Sequence, residues 1–125
     1  LGPQKEIPAM RMKLIVVLAP DDKTDTIIDA AREGGATGAT VITSVRGEGL
    51  KPEKTFLGLE ITAKRDVLLF LVVEERSQEI LERIRDVGRF DEEPGAGVAF
   101  QIAIEDVVGL TTQLPIMMKE VEDDL

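Results

Sequence analysis

The chain has 125 residues, of which 43% are hydrophobic and 31% charged, and a net charge of −9. That balance fits one soluble globular domain, and the excess of acid excludes the basic stripe that nucleic acid or an anionic membrane surface would attract. Cysteine and histidine are both absent, which excludes disulfides and Ser–His or Cys–His nucleophiles, argues against zinc or copper, and leaves only carboxylate sites for magnesium.

The opening LGPQKEIPAMRM has no apolar stretch of signal-peptide length and reads as a native arm or a vector remnant over residues 1–12. KLIVVLA, residues 13–19, is a continuous β-branched run ended by Pro20 and predicts a buried strand. In DDKTDTIIDAAREGG, Ile27, Ile28 and Ala31 recur at helical spacing, Thr24 suits the N-cap, and Gly34 and Gly35 stop the helix. ATVITSV, residues 39–45, predicts a second strand, and a charged excursion then runs from Arg46 to about Arg65.

DVLLFLVV, from Asp66, predicts the third strand and is too short to cross a bilayer, so no direct membrane insertion is expected. EERSQEILERIRDVG predicts a helix with Ile80, Leu81, Ile84 and Val87 on its apolar face, a Glu79–Arg83 pair on its wet side, and Gly88 at its end. VAFQIAI gives a fourth strand, EDVVGL a short turn, and TTQLPIMM an edge strand with Met117 and Met118 packed at a subunit seam. The expected domain spans 13–118, and the acidic residues 119–125 form a solvated tail.

The order β-α-β, long connection, β-α-β predicts an α+β, ferredoxin-like split βαβ sandwich. One face of the sheet takes both helices. The other still carries apolar side chains and is expected to bury itself against further copies of the chain. The absence of both a signal segment and cysteine points to the cytoplasm.

Function has to come from sites, because this architecture hosts many activities. Two glycine segments bracket the excursion: RGEG, Arg46 to Gly49, and EEPGAGVAF, Glu92 to Phe100. Glycines there let a ligand approach the backbone and offer N–H donors to phosphate; alternatively, both are plain turns. The excursion mixes Arg46, Glu48, Lys51, Glu53, Lys54, Glu60, Lys64 and Arg65 with Phe56, Leu57, Leu59 and Ile61. It reads either as a hairpin packed on a neighbouring subunit or as a mobile arm that meets a partner protein.

GATGATVITSVRGEG before the excursion, FLGLEI within it and PGAGVAFQIAIEDVVGL after the second helix together resemble the PII signal-transduction family and its PII-like relatives. The likeness runs from Lys13 to about Leu110. It implies a homotrimer that binds an adenine nucleotide between subunits and regulates a partner, such as a membrane transporter, through a T-loop at residues 46–65. By this likeness Gly47, Glu48 and Gly49 form the loop base, and Gly95, Ala96 and Gly97 form the B-loop. Thr43, Arg46, Val72 and Val17 fall at the nucleotide pocket, and Phe56, Leu57 and Leu59 are the partner anchors.

Several positions depart from the family pattern. Leu50 and Lys51 stand where the T-loop glutamine would follow Gly49, and Ile61 stands where the modified tyrosine would fall. Val98 replaces the B-loop lysine, and residues 107–113 carry no arginine. Asp91, Glu92 and Glu93 precede the B-loop and would repel a triphosphate. AMP, ADP or a cyclic nucleotide therefore suits the site better than ATP, and no cofactor is required. The competing expectation is a CutA-like structural trimer with no nucleotide site. Without histidine or a recognisable acid–base pair, an enzyme is not expected.

Overall fold

The structure is a computed structural model that describes residues 11–45, 55–56, 59–60 and 64–109. A four-stranded sheet is formed by β1 (Met12–Pro20), β2 (Thr40–Val45), β5 (Arg65–Val73) and β6 (Val98–Ala103) in the order β2-β5-β1-β6. All of its neighbours are antiparallel. Helices α1 (Thr24–Glu33) and α2 (Glu74–Gly88) are the two crossovers of the split βαβ arrangement. Two short strands, β3 (Thr55–Phe56) and β4 (Leu59–Glu60), pair with each other within the excursion.

Strand alternation divides the sheet into two unlike faces. Ile15 and Val17 of β1 and Leu68, Phe70 and Val72 of β5 meet Ile27 and Ala31 of α1 and Ile80 and Ile84 of α2 in one buried cluster. The alternate residues form a second apolar face. Leu14 lies opposite Leu71 and Ile102, Val16 opposite Leu69 and Phe100, and Leu18 opposite Val67 and Val98. Leu71, Phe100 and Ile102 are 39%, 40% and 46% exposed, so this face is open in the single chain.

Several local expectations are corrected. Thr24 does not cap α1. The helix begins after Lys23 with no side-chain cap, and the Thr24 hydroxyl instead donates to the Asp66 carboxylate at 2.6 Å in the interior. Arg65 belongs to β5, opposite Pro20 and Val45, so the excursion ends one residue earlier. Val87 is 42% exposed, because the buried stripe of α2 runs through Ser77, Ile80 and Ile84 and closes on Gly88.

The helix ends at Gly88 as expected, and the left-handed residue that follows it is Arg89 (φ 57°). Gly88 is required for space, since a Cβ there would lie 2.4 Å from the Phe90 ring. The Glu79–Arg83 pair forms at 3.6 Å. Within EDVVGL the chain is irregular over residues 105–107 and bends at Val108 and Gly109. Arg46 to Gly49, Leu57, the expected edge strand with Met117 and Met118, and the acidic tail lie outside the described residues.

Candidate functional site

Four chain segments meet at one end of the sheet. β1 leaves it at Pro20, β2 at Val45, β5 enters at Arg65, and β6 enters at Val98 just after the glycine loop; the register pairs Arg65 with both Pro20 and Val45, and Leu18 with Val98. Both ends of the excursion are thereby set beside the loop Glu92–Gly97, although these pieces are remote in sequence. The Asp21 N–H adds a bond to the Lys64 carbonyl at 3.4 Å. Between Ile42 and Val45 the β2 register slips by one residue against β5. Such a bulge re-aims side chains at a strand end, and Thr43 within it is exposed.

The glycine loop is held from both sides. Gly97 has φ 148°, and a Cβ there would fall 2.4 Å from the Phe90 ring and 2.7 Å from the Leu18 carbonyl oxygen. Only glycine fits so close a backbone approach. Gly95 has φ 79° but faces open space, with nothing within 4 Å of a Cβ built on it. Ala96 is buried, and its N–H donates inward to the Glu93 carbonyl at 3.1 Å. The donor expected there for a phosphate is thus engaged within the loop.

The acids ahead of the loop also differ from the simple repulsive cluster. Arg89 reaches Glu93 through Nε at 2.7 Å and Glu92 through a terminal nitrogen at 2.9 Å. Its left-handed backbone turns the side chain back over its own loop, and the bonds hold two of the three carboxylates. Asp91 instead lines a cavity of about 450 Å³ between α2 and the start of β6, with Gln78, Glu82, Arg85 and Phe90 among its walls. Arg85 is held protonated by a hydrogen bond from its Nε to Asp86 at 2.9 Å and by that residue's charge, which raise its pKa above the ordinary value.

Arg65 stands out among the residues that sequence reasoning passed over. It is only 7% exposed, its Nη1 donates to the Gly95 carbonyl at 3.3 Å, and its buried Nε has no hydrogen-bond partner among the described residues. In the sequence it looks like one more charge of the excursion, beside Lys64. The available signal was its parity with Val67, Leu69 and Leu71, which places it on a sheet face instead of in a loop.

The sequence profile of the nitrogen regulatory protein P-II family matches residues 12–113. The chain belongs to that family. Among curated proteins no sequence matches. Solved structures share the fold. CPII from Thiomonas intermedia K12, in its complex with ADP, AMP and acetate, superposes with a TM-score of 0.61 at 18% identity, covering 82% of this chain and 94% of CPII. Its complex with ADP, AMP and bicarbonate gives 0.58 at 17% identity, over 81% and 92% of the two chains. A PII-like protein from Thermus thermophilus gives 0.58 at 22% identity, over 80% and 93%.

The excursion leaves the sheet after Val45 and returns before Arg65, and the glycine loop sits next to that return. The structure brings Gly95 to Arg65 at the return of the excursion, and sets Val98 opposite Leu18. Val17 and Val72 lie in the core beneath the helices, at 0% and 4% exposure, and offer no open surface in the single chain. Their parity on β1 and β5 turns them to the helix layer, whereas Leu18, one residue on from Val17, meets the B-loop through its carbonyl. Phe56 pairs with Leu59 in the backbone register of the β3–β4 ribbon. No helix among the described residues is long and apolar enough to cross a membrane.

Proposed function

We propose that this chain is the subunit of a cytoplasmic PII-like homotrimer that senses an adenine nucleotide, AMP or ADP in preference to ATP, with cyclic nucleotides as further candidates. The observation that carries this reading is the junction of T-loop ends and B-loop at one end of the sheet. A ligand seated there touches both ends of the arm and can bias its conformation. The open apolar face with Phe100 and Ile102 is the surface by which subunits associate. CPII, of the same fold, holds ADP and AMP with acetate or bicarbonate, which supports an adenine nucleotide and a small anion as the ligand class. Thr43, Arg46, Gly47, Glu48 and Gly49 are the T-loop-side contacts in this reading, and Gly95 to Val98 the B-loop side.

The arm delivers the signal to a protein partner, a membrane transporter by the family resemblance, with Phe56, Leu57 and Leu59 as anchors. Such a partner would bring the trimer to the inner face of the membrane. Replacing Phe56→Ala should weaken partner capture and leave the trimer intact.

Calorimetric titration with AMP, ADP, ATP and cyclic nucleotides, with and without magnesium, tests the sensor. Saturable binding near one site per subunit is expected, lost on Gly95→Asp or Arg46→Ala. The engaged Ala96 N–H and Val98 in place of a cation favour one competing reading, a CutA-like structural trimer. Silence from every nucleotide with a stable trimer in hand would select it.

A further inference from the structure

We propose that Arg65 is the phosphate ligand of this site: its guanidinium, parked on the Gly95 carbonyl, is the cation that receives the nucleotide's phosphoryl oxygens. This deepens the nucleotide reading above and rests on it. Arg65 is only 7% exposed as a residue, and drawing an arginine in so far is costly unless its N–H groups find acceptors and its charge a counter-charge. Here a terminal nitrogen bonds a neutral carbonyl at 3.3 Å, and the buried Nε has no hydrogen-bond partner among the described residues.

Nearby acids are directed elsewhere. Asp66, the next residue, faces the helix layer and accepts the Thr24 hydroxyl at 2.6 Å. Glu92 and Glu93 are held by Arg89. Pro20, across the strand pair from Arg65, has no N–H to offer an anion, and the Ala96 N–H is turned to Glu93. Among the described residues, Arg65 is therefore the cation best placed to face an incoming anion at this junction. The planar fork of a guanidinium matches two oxygens of one phosphate, and such charge-assisted bonds are the strong ones. The residue that receives the phosphate is also the first residue after the T-loop, so ligand and arm share one side chain.

The test titrates ADP, adenosine and inorganic pyrophosphate into the intact protein and into Arg65→Gln and Arg65→Lys. Loss of a charge-assisted phosphate contact should weaken ADP by about ten- to a hundredfold, and pyrophosphate in parallel, with adenosine changed by less than about twofold. Arg65→Lys should recover part of the ADP affinity. Thermal melts and light scattering accompany each titration, and the Lys variant keeps a buried cation should the Gln variant fold poorly. Equal loss of ADP and adenosine would assign Arg65 a structural role and overturn the proposal. So would unchanged ADP binding with a dissociated assembly, which would make its counter-charge a carboxylate of another copy. Those two results leave the sensor reading standing. Wild-type protein that binds neither ADP nor adenosine sinks both.

Discussion

The two faces of the sheet are built from the same strands and nearly the same residue types, yet they have opposite fates. Ile15, Val17 and Leu68 on one face are 0% exposed, covered by α1 and α2. On the other, Leu71, Phe100 and Ile102 are left 39% to 46% exposed. Alternation, with apolar residues at both parities, produces this, because the two α-helices of the described residues both cover one face. The covered face makes the fold. The uncovered one asks for a partner, and Arg65 and the glycine loop lie at its rim.

The comparison predicts unequal consequences on the two sides. Phe70→Ala on the covered face should cost about 3–5 kcal/mol of stability, read as a lower midpoint in denaturant; a loss of under 1 kcal/mol would show that the helices pack loosely there. Gly97→Ala should follow, at about 1–3 kcal/mol, because both φ 148° and the 2.4 Å approach to Phe90 oppose a side chain.

Thr24→Val removes the buried bond to Asp66 and should cost about 1–3 kcal/mol, with secondary structure by circular dichroism unchanged. Phe100→Glu, on the open face, should do little to the subunit's own fold and instead drive the assembly toward monomers in light scattering. A trimer that survives it would move the interface off this face. Glu79→Gln breaks a surface pair at 3.6 Å and should change stability by at most about 1 kcal/mol.

Much of this was legible in the sequence. The order of elements followed from apolar runs punctuated by Pro20, Gly34 and Gly88, and the second helix, Glu74–Gly88, coincides with its predicted segment. The errors lie where local preference met a tertiary demand. Thr24 has the chemistry of an N-cap, but a buried carboxylate 42 residues away claimed its hydroxyl. Gly88 does end the helix, as its position suggested, but the ring of Phe90 also needs its bare Cα, and the left-handed turn falls on Arg89.

The candidate site divides in the same way. Its glycines and its proximity to the T-loop were readable, since backbone approach and loop length leave marks in local sequence. The orientation of Val17 and Val72 into the core was not, because one residue of strand parity decides it and the run KLIVVLA is apolar at both parities. Nor was Arg65. Sequence alone determined the fold class, the two apolar faces and the family, all of which depend on patterns carried by neighbouring residues. Tertiary structure alone decided which remote polar groups meet: Thr24 with Asp66, and Arg65 with the carbonyl of Gly95. Contacts between residues distant in sequence depend on strand register and side-chain reach, which no local pattern encodes.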